Sequence, residues 1–122
     1  MILSDSEIRK AIKERKIIVE PAPDEDQIQT SALDLRLGEE IRIFKSKEEL
    51  EEREPSGVYR PVIIDSFKID ILEYIDKYTK LAPLDPDGSF RLVPQQFILG
   101  ITHEYISLPR EAKIAARVEG RS

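Results

Sequence analysis

Hydrophobic positions along this chain recur with two different periods, and the change from one to the other separates expected helix from expected strand. In LSDSEIRKAIKERK, Ile8, Ala11 and Ile12 recur at helical spacing, which predicts a short helix with one apolar face, ending near Lys16. Its start is signalled by Ser4 as the cap, by Glu7 three residues later to close a capping box, and by Leu3 and Ile8 placed as a hydrophobic staple. A strand is expected at IIVE, closed by the loop PAPDEDQ. ALDLRLGEEIRIF then alternates, with Leu33, Leu35 and Leu37 before a Gly-Glu-Glu stretch and Ile41 and Ile43 after it, and the pattern predicts a β-hairpin.

The charged stretch KSKEELEEREPSG reads as a solvated surface excursion, and YRPVIID as a short strand. IDILEYIDKY sets Ile71, Leu72, Ile75 and Tyr78 on one helical face, and APLDPDGS is a turn. In FRLVPQQFILGITHEYISLP the pattern predicts a strand, a Pro-Gln-Gln turn and a long strand on which Phe97, Leu99, Ile101, His103 and Tyr105 share a face. KIAARVEG is the last expected strand. Many short strands, two helices and no repeat imply one mainly β domain over residues 1–122, a sandwich or barrel.

Composition narrows the chemistry. With no cysteine and one histidine, the chain can build neither a thiolate nucleophile nor a zinc site of cysteine and histidine, so any divalent ion would be held by oxygen ligands or by a ligand's phosphates. The net charge of -5 argues against nucleic-acid binding through a broad basic face. No apolar run approaches the ~18 residues of a membrane span and the N-terminus lacks a signal-peptide pattern, so a cytoplasmic location without membrane attachment is expected. Abundant Glu, Lys, Arg and Ile with eight prolines and one methionine suit a heat-adapted protein.

Three residues or groups could carry function. His103 alternates with apolar neighbours and reads as a packed or interface histidine, with no catalytic role assigned. Asp34, flanked by leucines, reads as charge on the outer face of a strand, beside Arg36. In the terminal Gly120-Arg121-Ser122, glycine permits close approach, arginine offers a planar fork for phosphate oxygens, and serine adds a hydroxyl.

Taken together, MILSDSEI, SALDLRLG, LVPQQFILGITHEYISLP and ARVEGRS resemble, in order, four motifs of the dCTP deaminase branch of the dCTP deaminase and dUTPase superfamily. The resemblance covers the chain except for residues 45–90, where an insertion is expected. It implies a dUTPase-like distorted β-barrel with an N-terminal helix, and a chain corresponding to the N-terminal two-thirds of a family member, without its C-terminal strands. It further implies zinc-free hydrolytic deamination of dCTP to dUTP, with or without cleavage of dUTP to dUMP, in a homo-oligomer of trimer type. By the same resemblance Arg121 and Ser122 match the phosphate-motif arginine and serine, the serine lying close to the reacting base. Asp34 matches an aspartate of the magnesium and triphosphate region, and the family's general acid and base, a glutamate, is expected beyond Ser122. The 122-residue chain by itself is therefore expected to be inactive. Glu119 has no assigned role. A dUTP diphosphatase of the same fold, or a short non-catalytic binding module, are the alternatives.

Overall fold

The first helix begins where the capping pattern places it. The computed structural model describes residues 1–46, 49, 65 and 67–121, and in it helix α1 spans Asp5–Lys13. The Ser4 hydroxyl accepts from the Glu7 N–H at 3.4 Å, while the Ser4 N–H donates to the Glu7 carboxylate at 2.8 Å, so two donors that the helix itself cannot satisfy are paired reciprocally. The helix ends through its backbone. Arg15 takes a left-handed conformation (φ 56°), its N–H reaches the Ile12 carbonyl at 3.1 Å, and the Lys16 N–H reaches the Ala11 carbonyl at 2.8 Å. This is the pairing of a Schellman motif, with arginine where glycine is most favoured.

The described chain forms two compact units, residues 1–38 with 102–122, and residues 39–101. In the first, α1 covers a small apolar core of Ile8, Ala11 and Val19. Strand β1 (Ile18–Glu20) lies antiparallel to β5 (Tyr105–Ser107), with Val19 opposite Ile106. A single 3₁₀ turn spans Glu25–Gln27, an isolated bridge joins Ile28 to Leu33, and a second 3₁₀ turn spans Arg110–Ala112.

In the second unit, β2 (Leu37–Phe44) is the middle strand of a three-stranded sheet between β3 (Thr79–Leu81) and β4 (Ile98–Thr102). Arg42 pairs with Leu81 and Phe44 with Thr79 in the antiparallel β2–β3 register. Helix α2 (Ile71–Tyr78) starts at Asp70, whose carboxylate accepts the Leu72 N–H at 2.9 Å, and runs directly into β3. Thr79, at the junction, is 1% exposed: its hydroxyl donates to the Ile75 carbonyl and accepts from Arg42 Nε at 2.8 Å. A buried hydroxyl used as both donor and acceptor thereby ties the end of the helix to the central strand.

The mainly β expectation holds, and no closed barrel is formed among the described residues. Several local expectations are corrected. Gly38-Glu39-Glu40 is not a hairpin turn but part of one continuous strand. A two-residue hairpin turn needs left-handed residues, Gly38 has no positive φ, and β3 and β4 supply the ladder partners on both sides that a hairpin would forgo. On α2 the inward residues are Tyr74, Ile75 and Tyr78, whereas Ile71 and Leu72 of the first turn are exposed. The Pro-Gln-Gln turn forms, with Gln95 left-handed (φ 64°) and the Gln96 N–H on the Val93 carbonyl, and the 85–89 turn forms around Gly88 (φ 80°). FRLV before the first of these turns makes no strand. KIAARVEG forms no strand: Lys113 at its start is left-handed (φ 53°), and residues 114–120 have no ladder partner among the described residues. The expected long strand breaks at His103 and Glu104 into β4 and β5. YRPVIID, apart from Asp65, and most of KSKEELEEREPSG lie outside the described residues.

Removing the Ser4 hydroxyl tests the local argument. Ser4→Ala is expected to lower unfolding free energy by about 1 kcal/mol, the usual worth of an N-cap, as measured by urea denaturation. Arg15→Gly is expected to shift the midpoint the other way, because glycine tolerates the left-handed position.

Candidate functional site

The break at His103 and Glu104 turns the side chain of Glu104 inward, leaving the residue 3% exposed. The Thr102 hydroxyl donates to the Glu104 carbonyl at 2.8 Å, and the His103 N–H donates to the Arg36 carbonyl at 2.8 Å, so the kink is held on both sides. His103 therefore contributes through its backbone; its side chain is exposed rather than packed within this chain.

Inside, the Glu104 carboxylate accepts three hydrogen bonds. Arg36 donates twice, from its backbone N–H at 2.9 Å and from Nε at 2.7 Å, and Gln27 Nε2 donates at 2.9 Å. Arg36 Nη1 also lies 3.6 Å from the Asp24 carboxylate. Burial by itself would push the Glu104 carboxyl up. The Arg36 guanidinium, the Arg36 N–H and the Gln27 amide together outweigh that effect and hold it down at about 2, against an ordinary 4.5. The carboxylate is thus ionised across the whole physiological range. Among the described residues no buried side-chain nitrogen or oxygen lacks a hydrogen-bond partner.

Gln27 carries this network onward to Asp34. Its Nε2 donates to the Asp34 carbonyl at 3.0 Å, its own carbonyl accepts the Asp34 N–H at 2.8 Å, and its Oε1 accepts the Asp24 N–H at 2.9 Å. Asp34, set beside the three-hydrogen-bond anchor, presents a carboxylate that is 30% exposed and accepts from Arg121 Nη1 at 3.0 Å, across 87 positions of sequence. The structure therefore brings together two of the residues singled out in the sequence, Asp34 and Arg121. Ser122 lies outside the described residues.

The pair differs chemically from the anchor. Arg121 is 82% exposed, and an exposed ion pair of this kind contributes at most ~1 kcal/mol to stability. Its planar guanidinium keeps donors free for the oxygens of an anion such as phosphate. Among the described residues no three carboxylates or histidines gather to hold a metal ion by themselves. One half-buried carboxylate does fit a magnesium ion that arrives with nucleotide phosphates, because that ion keeps most of its ligands as water and phosphate and needs only one or two from protein.

Sequence reading missed Gln27, Arg36 as a structural donor, and Glu104. A signal was present in THEYI, where a lone carboxylate stands between His103 and Tyr105, but alternation sets Glu104 on the face opposite Phe97, Leu99, Ile101, His103 and Tyr105 and gives it no role.

The anchor makes stability depend on acid. A carboxyl held low in the folded state stabilises fully above its unfolded pKa and loses that contribution as pH falls from about 4.5 through about 2. Urea midpoints measured from pH 6 to 2 are expected to fall across this window by the equivalent of about 2 to 4 kcal/mol from Glu104. Glu104→Gln is expected to be less stable at pH 6, where it leaves the Arg36 donors facing an amide, and to show a flatter pH profile.

The dCTP deaminase-like family model matches residues 2–122. A protein of Methanobrevibacter smithii described as a dUMP-forming dCTP deaminase is 38% identical over 122 residues, covering 99% of this chain and 54% of its own length. A dUMP-forming dCTP deaminase of Nanoarchaeum equitans is also 38% identical, over 100% of this chain and 59% of its own. A dCTP deaminase of Haloarcula marismortui is 33% identical, over 100% of this chain and 54% of its own. The chain thus spans between half and three-fifths of these relatives' lengths, less than the two-thirds expected. With its motifs collinear from residue 2 to residue 122, the chain belongs to the dCTP deaminase-like family.

Proposed function

We propose that this chain supplies the triphosphate-binding part of an enzyme that hydrolytically deaminates dCTP and releases dUMP. The observation that carries this reading is the Asp34–Arg121 pair: a carboxylate and a guanidinium from two motifs far apart in sequence lie 3.0 Å apart in a chain whose relatives are described as dCTP deaminases. The names of two of those relatives, which specify dUMP formation, support the dUMP-forming reaction over deamination alone.

In this reading Arg121 turns its free N–H groups to the phosphate oxygens, and Ser122 acts, as its motif match implies, on the base whose C4 amine is lost. Asp34 holds the guanidinium in place before nucleotide binds and faces the phosphates afterwards. Magnesium, when bound with the nucleotide, supplies the positive charge that lets a carboxylate and a triphosphate share one site. Deamination at C4 requires an activated water, a proton for the ring nitrogen and donors for the tetrahedral intermediate, which a carboxylate, a serine and an arginine can provide without zinc. A homotrimer with sites between subunits, in the cytoplasm, completes the proposal.

Incubation of the full-length protein with dCTP and magnesium, followed by separation of products, is expected to give dUMP, pyrophosphate and ammonia. Accumulation of dUTP would restrict the activity to deamination, and cleavage of dUTP without turnover of dCTP would establish a dUTP diphosphatase instead. Arg121→Ala is expected to weaken dCTP binding by about 1.5 to 3 kcal/mol, roughly tenfold to a hundredfold, as read by calorimetry. Unchanged affinity would remove Arg121 from the site.

A further inference from the structure

Residues 34–36 carry the candidate carboxylate, yet they belong to no strand. A stretch that lies outside a ladder has backbone donors and acceptors that need other partners, and at Asp34 and Arg36 side chains provide two of the four and backbone groups the other two. The Asp34 N–H is bound by the Gln27 carbonyl at 2.8 Å and the Asp34 carbonyl by Gln27 Nε2 at 3.0 Å, so one residue grips Asp34 at both of its backbone polar groups. Two positions on, the Arg36 N–H is bound by Glu104 at 2.9 Å and the Arg36 carbonyl by the His103 N–H at 2.8 Å. The segment is held at Asp34 by Gln27 and at Arg36 by residues 103 and 104.

Chemistry also fixes which way the Gln27 amide faces. An amide can be turned about its terminal bond so that its oxygen and nitrogen exchange places, and the hydrogen-bond network decides between the two. An ionised carboxylate is an acceptor only, so the side of Gln27 that meets Glu104 must be Nε2, and the same nitrogen then reaches the Asp34 carbonyl. The opposite end is left with Oε1, which meets the Asp24 N–H at 2.9 Å. Reversal would set a carbonyl oxygen against both the Glu104 carboxylate and the Asp34 carbonyl, and a donor against the Asp24 N–H. Gln27 is 7% exposed and Glu104 3%, so water cannot readily replace these bonds.

We propose that Gln27, oriented by Glu104, is a positioning residue that fixes the backbone of Asp34 and thereby aims its carboxylate at Arg121 and at the magnesium-bound triphosphate. This rests on the triphosphate reading of Asp34 given above and names the residue that makes that carboxylate effective. Nothing in the proposed role requires Gln27 to touch the nucleotide.

A residue that acts only through Asp34 should matter only while Asp34 is present, and a double-mutant cycle on the full-length protein reads this directly. Affinity for dCTP with magnesium is measured by calorimetry for the unaltered protein, Gln27→Met, Asp34→Ala and the double variant, each checked for native circular dichroism. Gln27→Met, similar in size but without the amide, is expected to weaken dCTP binding about tenfold alone and less than twofold in the Asp34→Ala background. Equal losses in both backgrounds would overturn the positioning role and leave Gln27 a structural residue. If Asp34→Ala by itself leaves dCTP affinity unchanged, the assignment of Asp34 to the triphosphate fails, and the positioning role fails with it. Should Gln27→Met not fold, Gln27→Asn is used in the same cycle; it keeps the amide but is one methylene too short to span from Asp24 to Glu104, and the same two outcomes decide.

Discussion

A carboxylate withdrawn from water must find donors for its oxygens, and Glu104 finds them in Arg36 and Gln27, residues 68 and 77 positions away in sequence. Burying such a charge without partners would cost several kcal/mol, so a fold that places Glu104 inside has to bring both partners with it. Much of the first unit follows from this requirement. The chain breaks between β4 and β5 to turn Glu104 inward, the 3₁₀ turn at Glu25–Gln27 delivers the amide, and residues 34–36, outside any strand, are held by bonds to Gln27, His103 and Glu104. One ion organises three separate segments.

The candidate site inherits its order from that anchor while differing from it in solvation. Glu104 sits at 3% exposure with every bond directional, whereas Arg121 extends into solvent and meets Asp34 through a single contact. The contrast suits a binding site. In the proposed binding role the anchor is desolvated and held, while the Asp34–Arg121 pair is wet, where an ion pair is weak and a more highly charged ligand would readily replace it. The second unit solves a related problem with a neutral group, since buried Thr79 joins the end of α2 to Arg42 of β2 by one hydroxyl. In both units a polar side chain completes hydrogen bonding where regular structure stops.

Local signals in the chain determined local structure. Ser4 and Glu7 fixed the start of α1, Asp70 and the apolar spacing of IDILEYIDKY fixed α2, and Gly88 and Pro94 marked turns that form where they were expected, because caps and turns are satisfied by residues within a few positions of one another. The four ordered motifs also carried the family, and they pointed to Asp34 and Arg121. What the sequence could not show was pairing at a distance. Gly38-Glu39-Glu40 looks like a turn until β3 and β4 are present to extend it as a central strand, and the alternation through residues 97–105 looks continuous until the charge of Glu104 has to be matched with Arg36 and Gln27. Alternation assigns a glutamate to solvent by default; only the tertiary structure supplies the donors that make its burial favourable, and with them the position of Asp34.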